Sequence, residues 1–90
     1  MAVQSSWVAV GVTPVLIVSP SQSAAVGTTW VEIYNASANS IYLGNVNVSS
    51  SNGRVVATGA TWAAPLAVND AIYAASASGS NTVQVLVNRQ

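Results

Sequence analysis

Aliphatic residues alternate with aromatic or polar residues in two neighbouring stretches near the centre of the chain. In the first stretch, Val31 and Ile33 alternate with aromatic and acidic residues. In the second, which follows the small and polar residues 36–40, Ile41 and Leu43 flank Tyr42. A period of two gives a strand one aliphatic face and one polar or aromatic face. The pattern predicts a β-hairpin with a medium-length loop, placed at the centre of a small β domain.

The alternation changes phase at Gly44, because the next apolar positions are Val46 and Val48. A glycine at a phase change is typical of a β-bulge or a sharp bend, so we expect one of these at Gly44. Further along, Asn52-Gly53 is the strongest short turn signal of the chain, since both residues tolerate a positive φ.

The rest of the chain consists of short apolar runs separated by residues that form turns. The run 63–67 also allows a short helical turn, but no helical periodicity is sustained. Turn signals every 8–12 residues are typical of sandwiches and small barrels. We therefore expect an all-β fold, a small β-sandwich or partly open barrel of about seven to eight short antiparallel strands. The other predicted strands are 7–12, 15–18, 54–57, 66–68, 71–75 and 82–87, and the predicted core residues are Val31, Ile33, Ile41, Leu43, Val83 and Val85.

The N-terminal segment allows two interpretations. Val8, Val10 and Val12 alternate with small residues until Thr13-Pro14 ends the run. Residues 1–14 are therefore either an extended arm that pairs with a neighbouring subunit or the first strand of the same domain. Residues 15–90 form the β-sandwich domain in both interpretations.

Charged residues make up only 4% of this chain, two basic and two acidic, and the formal net charge is zero. A β-rich surface with so little charge favours association, because charges normally keep edge strands apart. The chain has no cysteine and no histidine, so neither disulfides nor a zinc site can supplement its small core. We therefore expect a homo-oligomer.

Several partners and locations are disfavoured by the same composition. There is no basic patch for nucleic acid, and no apolar run approaches the roughly 20 residues that span a bilayer. The first residues lack the basic and apolar regions of a secretion signal, so we expect synthesis in a cytoplasm.

Catalytic chemistry has few residues to use. General acid–base or nucleophilic catalysis would fall to Glu32 and Asp70, which lie in different predicted elements. We expect no enzymatic activity, no metal and no cofactor. The matches to the N-glycosylation pattern at Asn35-Ala-Ser37 and Asn47-Val-Ser49 are interpreted as coincidental.

The six aromatic residues, three Trp and three Tyr, have three possible uses: core packing, a stacking platform for sugars, or anchors of a subunit interface. Trp30 and Tyr34 share a strand face and are the best sugar-stacking candidates. We expect Trp62 to pack against its own domain and Trp7 against a neighbouring subunit. The candidate interface residues are Trp7, Val8, Val10, Val12, Trp30 and Tyr34.

Four segments resemble small virion proteins of tailed bacteriophages: 31–44 (VEIYNASANSIYLG), 59–66 (GATWAAPL), 69–74 (NDAIYA) and 78–86 (SGSNTVQVL). The resemblance covers about residues 26 to 88 and rests on turn and core residues. In that group, short β domains occur as capsid decoration proteins and as modules of head fibres or tails, without catalytic residues.

The resemblance implies a structural protein that binds the assembled capsid on its exterior and stabilises it. Its partner would be the major capsid protein, and a homotrimer is favoured because capsid quasi-threefold positions are natural docking sites. The alternative is a carbohydrate- or receptor-binding module of a phage tail or head fibre.

Overall fold

The computed structural model describes residues 2–19, 29–67 and 70–89, and its regular elements are all strands. They pair antiparallel in two four-stranded sheets that pack as a sandwich and do not close into a barrel. The front sheet has the order β1-β8-β3-β6, and the back sheet has the order β2-β7-β4-β5. The expected all-β sandwich is confirmed. The strands are β1 (Ala2–Val10), β2 (Val15–Val18), β3 (Thr29–Asn35), β4 (Ile41–Gly44), β5 (Arg54–Val56), β6 (Thr61–Leu66), β7 (Ile72–Ser76) and β8 (Asn81–Arg89).

The core lies between the two sheets and is built from the aliphatic faces that the alternation defines. Buried and exposed residues alternate along β3, where Val31 and Ile33 are fully buried. All six predicted core residues are buried, which confirms the assignment of faces. Trp62 is partly buried and packs against this core, as expected.

The predicted hairpin of residues 30–44 is wrong, because β3 and β4 belong to different sheets. Residues 36–40 carry the chain from the front sheet to the back sheet, and β3 pairs with β6 and β8 instead. Asn35 sets this corner. Its buried side chain donates to the carbonyl oxygens of Asn39 and Val56, both at 2.8 Å, and accepts from Ser37 N at 3.0 Å.

The Asn35-Ala-Ser37 pattern is therefore a structural corner, in which Ser37 Oγ also donates to Asn35 Oδ1 at 2.7 Å. The same network continues through Asn39, whose side chain donates to Asn81 Oδ1 at 2.9 Å. Asn81 in turn donates to Val10 O at 3.3 Å. These three side chains, here called the asparagine cluster (Asn35, Asn39 and Asn81), tie strands of both sheets together at one end of the sandwich.

Of the two features expected at Gly44, the β-bulge is absent and the bend is present, because β4 ends at Gly44 and the chain bends at the next residue. Val48 folds back and is buried, and a Cβ on Gly44 would stand 3.0 Å from its Cγ2. The change in the phase of the apolar positions after Gly44 therefore arises because the chain leaves the back sheet there and continues as a loop. The predicted Asn52-Gly53 turn is present, and Gly53 N donates to Ser49 O at 3.0 Å.

Residues 61–66 form strand β6, so the short helical turn that the run 63–67 allows does not form. The predicted strand 66–68 is also placed too late, and its residue Val68 lies outside the described residues. Pairing with β3 over Thr29–Tyr34 determines the extended conformation here. Pro65 is tolerated because β6 is an edge strand, where a missing N–H need not break a ladder bond.

The N-terminal segment forms β1, which pairs with β8 of its own domain over nine residues without a register shift. This strand begins at Ala2 and ends at Val10, earlier at both ends than the predicted run 7–12. Its position leaves β1 at the edge of the front sheet.

Candidate functional site

The outward surface of the front sheet consists of every second side chain along its strands, those that point away from the core. Trp7, Gln84, Tyr34 and Thr61 lie side by side in one row across the four strands. The next row along the strands is Ser5, Leu86, Glu32 and Ala63. We call this surface the front face, defined by Ser5, Trp7, Trp30, Glu32, Tyr34, Thr61, Gln84 and Leu86.

Three aromatic side chains of the front face are accessible to solvent. Trp7 is 60% exposed, and Trp30 and Tyr34 are each 39% exposed. Rings presented on a regular sheet have little backbone freedom, so they offer contact area at low entropic cost.

Glu32 is the acidic group on the front face, and it interacts with one of these rings. Trp30 Nε1 donates a hydrogen bond to Glu32 Oε2 at 3.2 Å. The bond holds the indole along the strand toward the middle of the face and leaves the second carboxylate oxygen as an additional acceptor.

A shallow depression of about 400 Å³ lies in the middle of the front face. Its lining combines the phenol ring of Tyr34, the apolar side chain of Leu86 and several hydrogen-bonding groups. Such a combination of a flat apolar surface with donors and acceptors is typical of small-molecule sites. The lining residues are Ser5, Glu32, Tyr34, Thr61, Gln84 and Leu86.

The structure brings together only part of the interface predicted from sequence. Trp7, Trp30 and Tyr34 meet on the front face, whereas Val10 is 1% exposed and belongs to the core. Val8 is partly buried and packs against that core, because both valines are on the inward side of β1. Val12 is 61% exposed in the connection between β1 and β2.

Gln84, Leu86, Thr61 and Ser5 of the front face were not identified from the sequence. All four lie on strands other than β3, which carries Trp30 and Tyr34. Only the pairing of those strands, and their register, brings the residues together on one face. The alternation does show that they point outward from their strands, but it does not show which strands are neighbours.

The two acidic residues do not form a paired site. Glu32 lies in the middle of β3 on the front face, whereas Asp70 lies in the turn before β7, where its Oδ1 accepts from Ala71 N at 3.0 Å. Within residues 2–19, 29–67 and 70–89, no three His, Cys, Asp or Glu residues come close enough to hold a metal ion. The described part of the chain also has no helix of the length and hydropathy that cross a membrane.

Comparison with known proteins gives a likeness to a solved structure. No protein-family model and no curated protein sequence matches the chain. A solved structure of Bacillus endospore appendages, described as a novel family of disulfide-linked pili, is similar with a TM-score of 0.52. The match covers 97% of this chain and 88% of the other, with 14% sequence identity. At that identity the likeness shows a shared fold.

Proposed function

We propose that this chain is a structural virion protein that binds the exterior of an assembled bacteriophage capsid and stabilises it, without enzymatic activity. The major capsid protein is its partner, and the front face is the docking surface. The observation that carries the proposal is the combination of three exposed aromatic rings with one carboxylate on a single sheet face. Interface centres are enriched in Trp and Tyr and depleted of charge in the same way.

The mechanism is thermodynamic. A ligand that binds only one state of a protein assembly stabilises that state, by an amount set by its differential affinity. A protein that binds the expanded shell and not the free capsid subunits therefore opposes disassembly when packaged DNA strains the shell. Aromatic anchors suit this role, because each can contribute about 2 kcal/mol or more when it is fully covered at an interface.

The pilus neighbour supports the general part of the proposal. It is described as an endospore appendage that forms disulfide-linked pili, so a protein of similar fold occurs in a pilus. This chain has no cysteine, so a disulfide linkage like that of the pilus is impossible here. Contacts with neighbouring subunits would therefore be non-covalent, and the front face is the surface best suited to them.

Sedimentation with capsids tests the proposal. The chain is mixed with undecorated, expanded capsids of the phage that encodes it, and bound protein is measured after pelleting. We expect saturable binding that Trp30→Ala or Tyr34→Ala weakens at least tenfold, with unchanged melting curves. Val55→Ala is the matched control, because Val55 is 52% exposed on β5 of the other sheet. Equal binding by all four proteins would contradict docking through the front face.

The depression favours a second candidate function, recognition of a carbohydrate on a host surface. Tyr34 lines the depression and offers a flat ring for a pyranose, and Glu32, Thr61 and Gln84 offer hydrogen-bonding groups around it. The indoles of Trp7 and Trp30 are exposed on the same face outside the depression. Saturable quenching of tryptophan fluorescence by host polysaccharide, abolished by Gln84→Ala and retained by Val55→Ala, would support this function. Quenching unaffected by Gln84→Ala would contradict a site in the depression.

A further inference from the structure

Three of the four sheet edges carry features that oppose pairing with another strand. β6 contains Pro65, which lacks an N–H donor. β2 is four residues long and has a register shift between Leu16 and Val18. β5 has only three residues, of which Arg54 is charged and exposed. Proline, irregular pairing, short length and charge are the means by which natural sheets avoid edge-to-edge association.

The fourth edge, β1, has none of these features. Its nine residues, AVQSSWVAV, contain no proline and no charged side chain. It pairs with β8 in an unbroken register, so the strand is regular over about 30 Å at roughly 3.3 Å per residue. Among the described residues, β8 is the strand that pairs with β1, and the other long side of β1 faces away from the sheet.

We propose that β1 pairs with β1 of a second copy of this chain, antiparallel and about a two-fold axis near Ser6. The two front sheets then form one continuous eight-stranded sheet. A centre at Ser6 is favoured because it lets all nine residues of each strand overlap. The proposal goes beyond capsid binding, which a monomer could also perform.

A second copy is the occupant that best fits this edge. The strand has no charges, so two copies meet without like-charge repulsion. A two-fold contact uses only the unprotected edge of each subunit, and it closes after two subunits. Pairing of β1 with β6 of another copy would instead use the edge that carries Pro65, and it would propagate into a filament.

The arrangement has a consequence for binding. The two-fold axis of an antiparallel pair of strands is perpendicular to the sheet, so both front faces point to the same side. A dimer could therefore engage two capsid sites together, with the gain in avidity that linked sites provide. This differs from the trimer that capsid symmetry favours.

Sedimentation equilibrium of the full chain tests the dimer. We expect a mass of about 18 kDa at tens of micromolar, twice the 9.1 kDa of one chain. Ser6 is exposed on the inward side of β1, opposite Val85, and a lysine there would place a charge at the edge. We expect Ser6→Lys to be monomeric with an unchanged far-UV spectrum. The control Ser50→Lys adds the same charge in an exposed loop and should remain dimeric.

Cross-linking tests the geometry independently of the lysine variant. Because the chain has no cysteine, each single-cysteine variant reports on one position only. Disulfides require Cβ atoms about 3.5–4.5 Å apart, so a cross-link forms only close to the axis. We expect Ser6→Cys, which faces itself across the axis, to form covalent dimers under mild oxidation, whereas Ser5→Cys, which would lie opposite Trp7 of the other copy, and Ser50→Cys should not. A monomeric parent, a dimeric Ser6→Lys variant, filaments, or no cross-link in Ser6→Cys would each overturn the proposal.

Discussion

Replacement of Asn35 by alanine should destabilise the sandwich more than any other loss of a single polar side chain in the corner 35–40. The Asn35 side chain is 0% exposed and lies where the chain passes from the front sheet to the back sheet. Its amide nitrogen donates to Val56 O and Asn39 O, and its oxygen accepts from the backbone and the hydroxyl of Ser37.

The size of this destabilisation depends on which hydrogen-bond partners of Asn35 can form another hydrogen bond in the variant. Ser37 Oγ lies 2.8 Å from Asn39 O, and in the variant its single hydroxyl proton, no longer donated to Asn35 Oδ1, can be donated there, so that carbonyl keeps a donor. The carbonyl of Val56 belongs to a buried residue, and an unsatisfied buried acceptor costs about 1–3 kcal/mol. The bond from Ser37 N adds about 1 kcal/mol. We therefore expect a loss of about 2–4 kcal/mol, a large part of the 5–15 kcal/mol typical of a whole domain.

Urea denaturation followed by tryptophan fluorescence measures this loss. For a domain of this size the slope is about 1 kcal/mol per M, so the midpoint should fall by about 2–4 M. Asn35→Asp is the matched control: it keeps the shape and the acceptor but cannot donate to Val56 O, so it should be at least as destabilising. Ser37→Ala should cost less than about 1 kcal/mol. A loss below about 0.5 kcal/mol for Asn35→Ala would show that the hydrogen bond from Asn35 to Val56 O does not stabilise the corner.

Three other variants test the packing by thermal and urea melts. Ile33→Ala removes a fully buried side chain and should cost about 2–5 kcal/mol; melting like the parent would mean that the core face is misassigned. Gly53→Ala places a Cβ 2.6 Å from Tyr42 Cβ and should cost about 1–3 kcal/mol by overpacking, and a neutral result would contradict this close approach. Deletion of residues 1–13 removes β1 together with buried Val10, so we expect no cooperative melt; a folded product would show β1 to be dispensable.

The sequence predicts the strands and the core well because the core depends on local alternation. Val31, Ile33 and Leu43 alternate with aromatic or polar residues along their strands. This alternation is enough to show which side of each strand faces the core. The sheet to which a strand belongs is a property of long-range pairing. The hairpin prediction failed because a five-residue connection can close a hairpin or cross a sandwich, and the buried hydrogen bonds of Asn35 determine the second outcome.

The front face could be predicted only in part for the same reason. Trp30 and Tyr34 lie on one strand, so alternation alone places them on a common face. Their neighbours Gln84 and Thr61 come from β8 and β6, and only the register joins them. The sequence also placed Val10 in the interface, because alternation does not reveal which face of β1 meets the core.

A cryo-EM reconstruction of capsids saturated with this protein tests directly whether it docks on the shell through its front face. We expect additional density on the outer surface of the expanded shell, with the front face toward the major capsid protein and Trp30 and Tyr34 covered. Trp62 should remain packed within its own domain, as it is in the free protein. Shells without additional density would contradict capsid binding, and a bound protein whose front face points to solvent would contradict docking through that face.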